Sequence, residues 1–294
     1  MFKFIKILFS PIIAFLDFIT KYFKTIVFLT IMYFVLVDSN KSLTDTNTYA
    51  NLQKIDLSGP IMDVSKTLEE IEKAKIDKNI KGIMLVVNSP GGAVAPSVEL
   101  AYAIKEFKNL KPVVVYASGV IASGSYYASI WADKIIANPG SMVGSIGVIM
   151  QGVNAEELMT KIGISTQTVK AGKYKESGTP TRKWFDYEEE QLQSVINDTY
   201  NMFISDVASA RNLDIKEHTK FADARIFTAN QAKDVGLVDE VATISYAQHT
   251  LATLAKVDNP IWKKQDKFDK FMDRLVSETI SNISMNFVSG LKAY

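Results

Sequence analysis

The run GVIASGSYYAS (residues 119–129) sets three serines, Ser123, Ser125 and Ser129, among glycine, alanine and tyrosine, directly after the apolar stretch KPVVVYAS. A serine hydroxyl becomes a useful nucleophile only beside a base that takes its proton. Histidine commonly fills that role, and the chain holds two, His218 in IKEHTKFAD and His249 in YAQHTLA. Both lie in polar, helix-like surroundings towards the C-terminal end, which reads as surface placement. The chain has no cysteine, so thiolate nucleophiles, thiolate metal sites and disulfides are excluded. Lysine is the remaining candidate base, and VKAGKYKESGTP supplies Lys170, Lys173 and Lys175. A lysine base must be brought from about 10.4 towards roughly 7–8, about 4 kcal/mol against its charged form. That requires burial in an apolar site with neutral hydroxyl partners. The residues alone leave all three lysines, and all three serines, open.

Two stretches, MLVVNSPGGAVAPS (84–97) and VVVYASGVIASGSYYAS (113–129), share one plan: a buried strand, a loop of small residues, then a helix. Glycines in such loops let backbone N–H groups approach a ligand closely, and two loops side by side can form an oxyanion hole next to a hydroxyl. The plainer reading of each loop is a tight strand-to-helix turn. No H-E-x-x-H, Walker-type loop or G-x-G-x-x-G after a strand is present, so metallopeptidase, phosphoryl-transfer and dinucleotide-binding chemistry lack support. A net charge of +1 provides no field to recruit nucleic acid.

The elements that must position these loops alternate. LQKIDLSG reads as a strand and DVSKTLEEIEKAKI as a helix. KGIMLVV and PVVVYA are continuous apolar runs expected to be strands buried on both faces. APSVELAYAIKEFKNL is a helix with Pro96 in its first turn, and DKIIANPGSM holds a short strand. NAEELMTKIG reads as a helix capped by Asn154, ISTQTVK as a strand, and DYEEEQLQSVINDTYNMFISDVASARN as a long amphipathic helix opened by an Asp186–Glu189 capping box. TANQAKDVGLVDEV reads as a short helix, opened by Thr228 and Gln231, followed by a last strand. Strand–helix alternation implies an α/β body with largely parallel pairing.

The N-terminus is different material. Residues 1–37 are almost wholly apolar apart from Lys3, Lys6, Asp17, Lys21 and Lys24. As a helix, 25–37 covers about 20 Å of a ~30 Å hydrocarbon core, and reaches a spanning length if Lys21 and Lys24 snorkel to the headgroups. VLVDSN carries no small-residue cleavage pattern, so the segment reads as a retained anchor. Lysines before the span place the N-terminus in the cytoplasm and the body outside it; a hairpin formed with KILFSPIIAFLDFI would reverse that. The expected organisation is a membrane anchor over 1–40, a body over 41–255 and an amphipathic helical tail over 256–294.

In order and context, LVVNSPGG, ASGSYYAS followed by WADKI and ANP, GSIGV, KIGI and AGKYKESGTP resemble the signal peptide peptidase A family of membrane-anchored serine peptidases. The resemblance covers about residues 50–245. It implies a ClpP/crotonase-like repeated β-β-α spiral, with Ser123 as nucleophile and Lys175 as general base. It further implies that Ser145 of GSIGV hydrogen-bonds the lysine, and that Gly91 or Gly92, with the amide of Gly124, binds the oxyanion. The family usually has a second glycine where this chain has Ser125, so two hydroxyls flank Gly124. The implied activity is hydrolysis of hydrophobic peptides, such as cleaved signal peptides, through an acyl-enzyme, with no metal and no cofactor. The implied setting is the bacterial inner membrane, single-pass, with the peptidase on the extracytoplasmic side. Implied partners are peptide substrates, the lipid bilayer and further copies in a homo-oligomeric ring, but no nucleic acid. Two rival readings are a crotonase-like acyl-thioester enzyme with paired glutamates and a non-catalytic membrane scaffold.

Overall fold

The two apolar runs form the centre of the sheet because each is covered on both sides. In β2 (Gly82–Ser89) and β3 (Val113–Ala122), Ile83, Leu85, Val87, Val113, Val115 and Ala117 face one buried cluster, while Met84, Val114 and Tyr116 face another. A strand buried on both faces has no polar side, which is why its sequence shows no alternation. The computed structural model describes residues 17, 18, 20–30, 32, 33 and 50–264. It divides into two compact units, Met1–Tyr49 and Ala50–Tyr294.

Around β2 and β3 the sheet runs β1-β2-β3-β4-β7, all parallel, with β1 at Leu52–Ser58, β4 at Lys134–Ala137 and β7 at Glu240–Val241. Strand β3 pairs with β4 only through Val114–Ala117; its later residues, Val120–Ala122, pair instead with β5 (Met142–Gly144). A final short strand, β6 (Ile226–Thr228), is antiparallel to β5. Helices α1 (Ser65–Ile76), α2 (Val94–Lys108) and α3 (Gly124–Ser129) contribute to the larger cluster. Between α3 and the end of the body lie α4 (Glu156–Lys161), α5 (Asp186–Arg211) and α6 (Ala229–Asp234). The smaller cluster is closed by Ala247, Leu251 and Ala252 of α7 (Ile244–Leu254).

The mixed α/β architecture with a parallel sheet is as expected, and four local readings change. The cap of α4 is Ala155, not Asn154, whose side chain instead accepts the Glu156 N–H at 3.0 Å. ISTQTVK forms no strand: among the described residues no backbone N–H from Ser165 to Lys170 is bonded, and no strand pairs with it. The box that opens α5 is shifted by one residue, with Phe185 at the cap and the Glu188 carboxylate accepting its N–H at 2.9 Å, since Arg182 draws Glu188 to that end. The antiparallel β5–β6 pair was not foreseen; at three residues each, these strands show no periodicity. In the leading unit, residues 20–30 are helical and exposed. No helix among the described residues is long and apolar enough to cross a membrane; residues 31 and 34–37 lie outside them, as does the tail beyond 264.

Truncation of Leu85, fully buried on β2, tests the core. Leu85→Ala should lower unfolding stability by about 2–5 kcal/mol, measured by denaturant titration of residues 50–294.

Candidate active site

Past the point where β3 leaves β4, its partner is β5, which sets Ala122 opposite Gly144. The next residue is tied there: the Ser123 N–H donates to the Gly144 carbonyl at 2.8 Å. The chain then turns at once into α3, leaving Ser123 at φ 52° and ψ −122°. A non-glycine residue in that region costs about 1–3 kcal/mol and persists only when its surroundings hold it. Ser125 supplies much of that hold. Its buried hydroxyl donates to the Ser89 carbonyl at 2.7 Å and accepts the Ala122 N–H at 2.9 Å. Ser129, also buried, donates to the Ser125 carbonyl at 2.8 Å. Of the three serines, only Ser123 has a hydroxyl with no hydrogen bond among the described residues, and it lines a cavity of about 100 Å³.

The second small-residue loop meets the first at this point. Gly91 has φ +91°, and a Cβ there would lie 2.6 Å from the Gly124 nitrogen and 2.9 Å from the Ser123 Cβ, so only glycine lets the two backbones approach. The N–H of Gly91 is already bonded to Ser89 Oγ at 3.2 Å. Those of Gly92 and Gly124 have no partner among the described residues, and both glycines line the cavity beside Ser123. Two free amide donors beside a free hydroxyl is the arrangement that stabilises a tetrahedral oxyanion. None of the residues lining the cavity is acidic, so the paired glutamates of an acyl-thioester enzyme have no counterpart there.

Ser145 follows Gly144, the anchor of Ser123; it too has a positive φ, 50°, and its N–H donates to the Arg225 carbonyl at 2.8 Å. The three candidate lysines part company. Lys170 is paired with Glu176 at 2.6 Å, and Lys173 lies over the Tyr187 ring at 4.5 Å and the Tyr174 ring at 5.3 Å. Lys175 is exposed, has no side-chain partner among the described residues and does not line the cavity. The fold therefore assembles Ser123, Gly92 and Gly124, with Gly91 and Ser145 adjoining them, and leaves Lys175 apart.

Lys175 belongs to an arm in which no residue from Ile149 to Tyr187 is buried. Ile149 and Val153 stand 83% and 75% exposed, and α4 has no buried side at all. The arm is nevertheless ordered by its own bonds: Ala155 N–H to the Pro180 carbonyl at 2.8 Å, Trp184 Nε1 to the Thr179 carbonyl at 2.8 Å, and Lys183 N–H to Glu156 Oε2 at 3.0 Å. Glu188, buried at the start of α5, is bonded twice by Arg182, at 2.8 and 2.9 Å, and Arg182 also reaches Glu176. This pairing with Arg182 holds the Glu188 carboxyl at about 2. The sequence carries no sign of the largely apolar wall of the same cavity, formed by Thr199, Met202 and Phe203 of α5 together with Tyr127. Phe203 was legible as part of an amphipathic face, but not the cavity it would meet.

The chain matches peptidase family S49 over residues 105–258. A protein of Methanocaldococcus jannaschii that bears a protease name is 48% identical over 66% of this chain and 61% of its own length, so the chain spans less than two thirds of that relative. A Synechocystis protein that also bears a protease name is 36% identical, over 72% of this chain and 77% of its own length. An Enterococcus faecium protein bearing the name signal peptide peptidase is 33% identical, over 74% of this chain and 67% of its own.

Two tests follow from this geometry. A Cβ at Gly124 would overlap Ser97 Oγ, so Gly124→Ala should displace the amide and lower kcat/KM by about 10²-fold or more, with part of the loss recovered in Gly124→Ala/Ser97→Gly. Glu188, held at about 2 against an ordinary 4.5, contributes stability that is fully present above pH 4.5 and fades as pH falls towards 2. Acid titration of Glu188→Gln should show a shallower loss of stability across that window than the parent chain.

Proposed function

The chain belongs to peptidase family S49 and is a serine peptidase, and from that premise we propose that Ser123 is its nucleophile and Lys175 its general base, meeting between neighbouring copies. The observation that carries this reading is a complementary pair of deficits. Among the described residues, Ser123 has a free hydroxyl and two free amides beside it, but no base lines its cavity. Lys175 has an amine with no side-chain partner among the described residues, on an exposed, partly apolar arm. Burying that arm against a second copy would cover Ile149 and Val153 and take the ammonium out of water, which is what lowers a lysine pKa.

The reaction then follows. Ser123 Oγ attacks the scissile carbonyl carbon as its proton passes to Lys175 Nζ, with Ser145 holding the amine. The tetrahedral oxyanion is bound by the N–H groups of Gly92 and Gly124. The C–N bond breaks as Lys175 returns the proton to the leaving amine, giving an acyl-enzyme. Water, deprotonated by Lys175, attacks the acyl carbon and frees Ser123. The cavity walled by Tyr127, Met202 and Phe203 suits an apolar side chain next to the scissile bond. We assign hydrophobic peptides, such as cleaved signal peptides, as the substrate class, in keeping with the name of the Enterococcus relative. The same reading gives the body a ClpP/crotonase-like spiral in a homo-oligomeric ring. It gives the apolar residues 1–40 the role of a single-pass anchor that keeps the peptidase at the extracytoplasmic face of the membrane.

Ser123→Ala should abolish labelling by a fluorophosphonate probe; labelling equal to that of the unmodified chain overturns the nucleophile assignment. Ser123→Ala and Lys175→Ala should each lower peptide hydrolysis by at least about 10³-fold. Co-assembly of the two inactive variants should restore about a quarter of the original activity in a head-to-tail ring with random mixing. Absence of any recovery would place both groups in one copy.

A further inference from the structure

Most of the cavity wall stands on α5, whereas the nucleophile caps α3, and one half-buried hydrogen bond joins the two helices close to the cavity. Tyr127 lies one turn beyond Ser123, and its N–H donates to the Ser123 carbonyl at 2.9 Å. Its buried ring lines the cavity and packs edge-on against Phe203 of α5, centroids 4.8 Å apart at 69°. Its hydroxyl donates to Asp206 Oδ2, one turn further along α5. Burial, and next the bond to Asp206, push the phenol's pKa up, so Tyr127 keeps its proton and remains the donor.

Helix α5 depends on that end for its placement. Between its buried first turn at Glu188 and Phe203 it has no buried residue, and Phe203, Ile204, Val207 and Ala208 make up the rest of its buried set. Thr199 and Met202, which wall the cavity, stand on the less buried side of this anchor. On another side Tyr200 donates to the Ala222 carbonyl, a bond that reaches neither α3 nor Ser123.

We propose that Asp206 is a positioning residue which, through Tyr127, fixes the apolar wall on α5 relative to the Ser123 hydroxyl and the Gly124 amide, and so sets the enzyme's discrimination among side chains next to the scissile bond. The inference rests on Ser123 being the nucleophile. A side chain seated against Met202 and Phe203 determines where its own carbonyl carbon falls, and displacement by about 1 Å at the reacting centre costs about 10²-fold. A peptide with glycine at that position does not use the wall and is placed by the backbone alone.

The test compares two fluorogenic peptides, identical except for leucine or glycine before the scissile bond, on the full-length chain. Tyr127→Phe and Asp206→Ala, each of which deletes the bond, should each reduce the leucine-over-glycine ratio of kcat/KM by about tenfold. The double variant should lose no more than either single one, because both remove the same bond. An unchanged ratio in both variants, or equal loss on both peptides, overturns the inference by reducing the pair to a general stabilising contact. Ser123→Ala run in parallel separates the two levels: if it still cleaves, the nucleophile assignment fails first, whereas its inactivity alongside an unchanged ratio removes only the role of Asp206.

Discussion

Strand β3 gives one edge to β2 and divides the other between β4 and β5, and this division makes a bend that the site depends on. Between the two halves, Ser118 Oγ donates to the Val87 carbonyl at 3.1 Å and Asn88 Oδ1 accepts the Val120 N–H at 3.0 Å, bridging the shift in β2–β3 register. The second half of β3 then ends against β5, which holds the Ser123 N–H on Gly144. Ser123 adopts a costly backbone conformation because the bonds on both sides of it, to Gly144 and through Ser125 to Ser89, leave no relaxed alternative. Exposure of its hydroxyl and convergence of the Gly92 and Gly124 amides both follow from that.

The body and the arm are built on opposite principles. In the body, two apolar strands are buried on both faces, and its buried serines are saturated by backbone groups, so their positions are over-determined. In the arm, shape comes from internal hydrogen bonds and from the Lys170–Glu176–Arg182–Glu188 series, with no residue from Ile149 to Tyr187 buried. Charge networks of this type fix geometry without an apolar core, and they leave apolar residues such as Ile149 available to another surface.

On the proposed reading this separation couples chemistry to assembly. A lysine acts as a base only when desolvated, and nothing among the described residues of one copy covers Lys175. An isolated copy would hold a nucleophile and an oxyanion hole without a base, and become competent only when a neighbour's arm arrives.

The residues themselves determined the parallel α/β body, because continuous apolar runs such as GIMLVV and VVVYA have no other stable home, and they narrowed the base to a lysine by withholding a plausible histidine. They also placed the two small-residue loops at strand ends, and Thr228 with Gln231 at the start of α6 as a capping box. Tertiary structure alone decided which serine is free, because the hydroxyls of Ser125 and Ser129 are consumed by carbonyls whose positions depend on the packing of β2 and α3. It chose Gly92 over Gly91 as a free donor through Ser89, and showed that ISTQTVK pairs with no strand among the described residues. It also set Lys175 apart from Ser123. Hydrogen-bond satisfaction and burial are properties of neighbours distant in the chain, such as Ser89 for Ser125 and Gly144 for Ser123, and no local pattern in the sequence encodes those meetings.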